Sequence, residues 1–206
     1  MSADGAAAAA AAPKSVEPEE ESSGSAGYQP PASKSVEEIL RQDAEDESLR
    51  RYKETLLGGA AAGVVVDETN PKNVIVRSLT LLVEGRPEFT LDLTGDVASA
   101  ASKTIVIKEG CKYRLKIGFH VQREIVAGLK YVQKASRGGI PVEKVQYMVG
   151  SYPPNATMHS FTTPEDEAPS GMLHRGTYKV KSSFTDDDKH DWLSWDWKLD
   201  IKKDWE

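Results

Sequence analysis

The chain has 206 residues, a net charge of −6 and a single cysteine, Cys111. That length suits one domain with a tail. One cysteine excludes an internal disulfide and a thiolate metal cluster, and no apolar run reaches the ~18 residues of a transmembrane helix. The charge is unevenly placed: residues 1–63 hold 12 acids and six bases, so residues 64–206 hold 20 of each. An acidic leader on a neutral domain is a poor match for the phosphate backbone of a nucleic acid. A basic protein or peptide is the better match. The run Ala6 to Ala12 lacks the basic flank of a signal peptide, Ser2 excludes myristoylation, and the last four residues form no prenylation box. A cytosolic location without membrane insertion is therefore expected.

Residues 1–27 are Ala, Ser, Gly and Glu with little to bury, which predicts a disordered leader. Residues 28–63 read as a short helical arm and its linker. Pro30-Pro31 sets an extended entry, and Ser35 with Glu38 fits a capping box ahead of Val36, Ile39 and Leu40. A second helix is predicted over about 46–57, with Leu49, Tyr52, Leu56 and Leu57 on one stripe and Gly58-Gly59 as its stop. Helices this short are marginal alone. Their stripes fit two readings, packing on the chain's own domain or ordering on a partner.

From Val64 the period switches to two. Strands are predicted at about 73–83, 88–93, 103–108, 112–121, 124–134, 143–149, 176–184 and 193–203. In the fourth, Tyr113, Leu115, Ile117, Phe119 and Val121 alternate with Lys112, Arg114, Lys116, Gly118 and His120. In the last, Leu193, Trp195, Trp197, Leu199, Ile201 and, beyond it, Trp205 take the apolar parity. Phe89, Leu91 and Leu93 do so in the second. Turn signals at Glu84 to Pro87, Thr94 to Asp96, Lys108 to Gly110, Arg137 to Gly139 and Asp186 to Asp188 separate the strands. No helical pattern lies between them, which excludes βαβ units. The expected architecture for residues 64–206 is an all-β, immunoglobulin-like antiparallel sandwich without the Cys-Trp-Cys core of true immunoglobulin domains.

No phosphate loop, zinc-binding spacing or nucleophile elbow is present, and His120, His159, His174 and His190 are scattered. Asp186-Asp187-Asp188 reads as a solvated hairpin tip ahead of a calcium site. No enzyme and no cofactor are indicated. Four Trp residues and further aromatics remain, able to fill a core or to line a space between two sheets for a long apolar ligand. A carbohydrate-binding sandwich is disfavoured, because parity turns Trp195, Trp197 and Trp205 inward.

Several longer stretches form a recognisable set: Tyr28 to Ala32, Asp46 to Glu54, Leu91 to Asp96, Tyr147 to Tyr152, Glu167 to Pro169, Gly171 to Leu173, Phe184 to Lys189 and Ile201 to Trp205. On these the chain resembles the Rho GDP-dissociation inhibitors, from about residue 28 to the end. The resemblance implies that the arm binds the switch regions of a GDP-loaded, prenylated Rho-family small GTPase. It also implies that the sandwich holds the GTPase's geranylgeranyl group, extracting it from membranes as a 1:1 complex with a monomeric inhibitor. Asp46, Leu49 and Tyr52 match arm positions at the GTPase, and Asp188 matches an acidic contact from the sandwich. Leu81, Tyr113, Ile125 and Trp197 match positions lining or gating the lipid pocket. Asp166 and Glu167 match an acidic pair facing the partner's polybasic tail, with Asp166 where the family usually has Glu. A generic carrier of prenyl or other lipid groups is the alternative.

Overall fold

The computed structural model describes residues 64–95 and 97–205. The expected leader and arm, with Asp46, Leu49 and Tyr52, lie outside these residues. Ten strands run in order as β1 (Val74–Val83), β2 (Phe89–Asp92), β3 (Thr104–Lys108), β4 (Lys112–Val121), β5 (Val126–Arg137), β6 (Ile140–Tyr152), β7 (His159–Thr162), β8 (Asp166–Glu167), β9 (Gly176–Thr185) and β10 (Asp191–Lys202). A short 3-10 helix, Val97–Ser102, precedes β3. One sheet has the order β2-β1-β4-β7 with β8 also on β4; the other has the order β3-β10-β9-β5-β6.

Alternation decides what each strand buries. Leu115, Ile117, Phe119 and Val121 on β4 are buried, while Tyr113 at its start is half-buried. Trp195, Trp197 and Ile201 on β10 are buried as parity requires, and Leu193 and Leu199 pack against them. β1 and β10 each contain a one-residue irregularity that shifts the parity. In β1 the register slips between Val76 and Ser78, so Val74 and Val76 face inward before it and Leu79 and Leu81 after it. In β10 the slip between Asp191 and Leu193 lets Trp192 bury as well, its Nε1 donating to Asp186 Oδ2 at 3.0 Å.

Where the chain enters the sandwich, one buried side chain fixes it. Gln122 Oε1 accepts from the amides of Val66 and Asp67, and its Nε2 donates to the carbonyls of Asn70 and Lys72 at 2.9 and 2.7 Å. Gln122 thereby fills all its hydrogen-bonding capacity with backbone, as a buried amide must.

The structure corrects the sequence reading at four points. β3 and β10 pair in parallel, from Thr104 beside Lys198 to Lys108 beside Lys202, so the sandwich is not purely antiparallel. The connection between them is most of the domain rather than a helix, and the exclusion of βαβ units stands. β7, β8 and the 3-10 helix escaped prediction, being short and without apolar alternation. β5 and β6 continue to a two-residue Gly138-Gly139 turn with Arg137 opposite Ile140, beyond the predicted 134 and 143. Phe89 is exposed, because it lies at the start of a short edge strand.

Candidate functional site

Between the two sheets, at the end where β4 begins and β5 and β10 finish, a cleft of about 470 Å³ opens. Tyr113 lines it from one sheet, and Ala135, Tyr178, Leu199 and Ile201 line it from the other. Sheet register explains this set. Trp197 stands opposite Val180 and Leu199 opposite Tyr178, while Ala135 stands opposite both Val180 and Glu143. All of these side chains therefore point to the same inner face. A larger hollow of about 830 Å³ lies over the outer face of the second sheet. The inter-sheet cleft is the one that both sheets line.

The mouth of the cleft is acidic. β8 pairs with β4 so that Asp166 stands opposite Tyr113 and Glu167 opposite Lys112. The Tyr113 hydroxyl donates to Asp166 Oδ2 at 3.0 Å. Burial, reinforced by the Asp166 charge, pushes that phenol well above the usual tyrosine range. Glu143, on β6, also lines the mouth. Desolvation first and the Asp166 charge second hold its carboxyl above the usual glutamate range. Glu165, next in line, is already committed to Lys112 at 3.0 Å and Arg114 at 3.5 Å. Asp166, Glu167 and Glu143 thus project a negative field with no basic side chain in ion-pairing contact among the described residues.

One wall of the mouth is the segment between β8 and β9, and it is firmly held. Glu109 takes Arg175 in a two-pronged pair, at 2.8 Å to Nε and 2.6 Å to Nη2, and accepts from the Gly171 amide at 2.9 Å. Arg175 and that amide pull the Glu109 carboxyl down to about 2. Arg137 donates to the carbonyls of Leu173 and Arg175 and lies over the Tyr178 ring. This pinned segment nevertheless displays Met172 and Leu173, 81% and 86% exposed. The loop is thus fixed in place with its two largest apolar side chains in water.

At the opposite end the three aspartates of the 186–188 turn separate by role. Asp186 is buried and accepts from the His190 amide, His190 Nδ1 and Trp192 Nε1. Asp187 pairs with Lys130. Asp188 is exposed and makes no such bond among the described residues. Asp186, Asp188 and His190 bring ligand atoms within 4.8 Å of one another. The donors already on Asp186 explain that grouping as a hydrogen-bonded turn.

The structure brings Tyr113, Asp166 and Glu167 together at the cleft. Leu81 and Trp197 lie in the packed core beyond it, Trp197 donating from Nε1 to Ser182 Oγ at 3.0 Å. Ile125 is half-buried in the β4–β5 connection, at the far end of β4 from Tyr113. Sequence reasoning missed Glu143, Met172, Leu173 and the Glu109–Arg175 clamp as parts of the mouth. Parity could have found Glu143, which shares its face with Tyr147 and Val149 on β6.

The described residues form an all-β sandwich with a cleft between its sheets, lined by aromatic and aliphatic side chains and acidic at the mouth. The family model described as RHO protein GDP dissociation inhibitor matches residues 13–204, and the chain belongs to that family. It is 53% identical to human Rho GDP-dissociation inhibitor 1 over 169 residues, covering 82% of this chain and 81% of the human protein. A probable rho GDP-dissociation inhibitor of Caenorhabditis elegans is 49% identical over 168 residues, covering 81% and 87%. Human Rho GDP-dissociation inhibitor 3 is 50% identical over 169 residues, covering 82% of this chain and 74% of that protein.

Proposed function

We propose that this chain inhibits GDP dissociation from a Rho-family small GTPase and removes the prenylated GTPase from membranes in a 1:1 complex, held in the cytosol. The observation that carries the reading is the inter-sheet cleft with Asp166, Glu167 and Glu143 at its mouth and Met172 and Leu173 on its rim. A geranylgeranyl group enters the cleft, and the Lys- and Arg-rich segment preceding it meets the acids. Tyr113 stands at the entrance, while Leu81, Trp197 and Ile125 are reached only as the sheets part along the chain's path. Asp46, Leu49 and Tyr52 of the arm, with the exposed Asp188, meet the switch regions and hold GDP in place.

Energetics assign the work. Burying a 20-carbon chain is worth on the order of 10 kcal/mol in a bilayer or in a good pocket, at about 0.8 kcal/mol per CH₂. Transfer between the two is nearly neutral, so net extraction comes from the protein–protein contacts. The test is sedimentation of geranylgeranylated, GDP-loaded Rho-type GTPase on liposomes with this protein added, alongside GDP release. Movement of the GTPase into the supernatant with slowed release supports the reading. Extraction without slowed release, unaffected by deletion of residues 1–63, replaces it with a generic lipid carrier.

A further inference from the structure

Five lysines stand in two cross-strand rows on the outer face of the second sheet. In one row Lys144 faces Lys134, Lys134 faces Lys181, and Lys181 faces Asp196. In the next, Lys179 faces Lys198 on one side and Ser136 on the other. Like charges directly opposed across a ladder are destabilising. None of the five ammonium groups has a carboxylate within ion-pairing distance among the described residues. Three directly opposed lysine pairs are therefore maintained against their own repulsion, on a domain whose formal charge sums to zero.

These lysines line the groove of about 830 Å³, with Asp196 and Glu143 as its acids. The groove runs on to Val142 and Glu143, which also line the cleft, so the two sites are continuous around β6. At that margin the β5–β6 hairpin exposes Ile140 and Val142, at 70% and 52%. Uncompensated cations beside exposed aliphatics match an anionic bilayer surface, where lysines meet headgroups and the aliphatics reach the acyl boundary. An acidic peptide would satisfy the lysines but leaves Ile140 and Val142 without a role.

We propose that this face docks the protein on an anionic lipid bilayer through Lys134, Lys144, Lys179, Lys181 and Lys198, with Ile140 and Val142 at the margin. Docking holds the cleft, which adjoins this face around β6, near the surface that supplies its guest. That purpose rests on the function proposed above, whereas the docking is measured with no GTPase present.

The experiment is co-sedimentation of the full chain with vesicles of phosphatidylcholine containing phosphatidylserine, against phosphatidylcholine alone. Binding is expected only to the anionic vesicles and to fall with salt. A lysine near such a surface contributes about fivefold, so K179Q/K181Q/K198Q is expected to bind about a hundredfold more weakly. K116Q/K202Q/K203Q, with the same change in net charge elsewhere, is expected to retain far more, and near-ultraviolet dichroism checks that both variants are folded. No binding to anionic vesicles, or equal loss in the two triple variants, overturns the proposal. Lysine-dependent capture of a poly-glutamate peptide without vesicle binding overturns it in favour of an acidic protein partner. Vesicle binding that survives while GDP release is unaffected overturns the proposed function and leaves the docking face standing.

Discussion

The Tyr113 hydroxyl donates to Asp166 Oδ2 at 3.0 Å, tying β4 to β8 at the entrance of the cleft. The bond spends one lone pair of the carboxylate and keeps its charge at the mouth. With Glu167 and Glu143 nearby, the entrance is shaped for a cationic segment. Asp166→Asn with Glu167→Gln is therefore expected to weaken binding of the prenylated GTPase by roughly tenfold, mostly in the association rate. The salt dependence of that rate should shrink with it. Stopped-flow association at two ionic strengths measures both, and an unchanged salt dependence would remove the acids from the recognition.

The Glu109–Arg175 clamp makes the rim acid-sensitive. The folded-state pKa of Glu109 lies at about 2, below its ordinary 4.5. A depressed carboxylate contributes stability that is complete above its unfolded pKa and is lost as pH falls through the folded one. The segment carrying Met172 and Leu173 is expected to loosen over the interval from about 4.5 down to about 2. Methyl resonances of Met172 report it. In Glu109→Gln the segment should already be loose at neutral pH, and a transition that persisted there would assign the effect to another group.

Gly128 occupies a position that disfavours any side chain. Its φ is +62°, and a Cβ built on it would stand 1.8 Å from Asp187 Oδ2. Gly128→Ala meets both backbone strain and a clash, with an expected cost of about 2 kcal/mol or more. Adding Asp187→Ala removes the carboxylate but leaves its Cβ at 3.0 Å and the strain, so the double variant should regain part of the loss. Urea unfolding of the three variants and the parent completes the cycle. Strict additivity would show that Asp187 simply moves aside.

For the arm, Tyr52→Ala is expected to reduce extraction of the prenylated GTPase by ten- to a hundredfold, as loss of an aromatic interface anchor does. Affinity for free geranylgeranyl lipid should stay constant. Fluorescence of a labelled prenyl probe and liposome extraction separate the two, and equal extraction by the variant would move the main source of affinity into the sandwich.

How much of this was legible in the sequence depended on what alternation can encode. β4 was bounded correctly because ten residues alternate without a break. β6 was drawn short because it is an edge strand whose first residues, Ile140 to Lys144, are all exposed. With no apolar side chain buried there, alternation does not mark where the strand begins. The parallel partner of β10 was invisible, since pairing direction leaves no mark on side-chain period. The mouth acids Asp166 and Glu167 came from family resemblance, and Glu143 from neither source, although its parity points inward. The lysine rows were hidden because their members lie on four strands, and only register makes them neighbours.

The strand order of the second sheet has a bearing on how the protein is made. β10, the last of the described strands to be synthesised, does not sit at an edge but between β3 and β9. Until it emerges, β3 has no partner in that sheet and β9 presents an open side to whatever chain is near. A nascent polypeptide at that stage is a set of unpaired edges, the state most exposed to wrong pairing. Completion of the second sheet thus waits on β10, and a chain stalled before Asp191 is one for chaperones to hold rather than a smaller working protein.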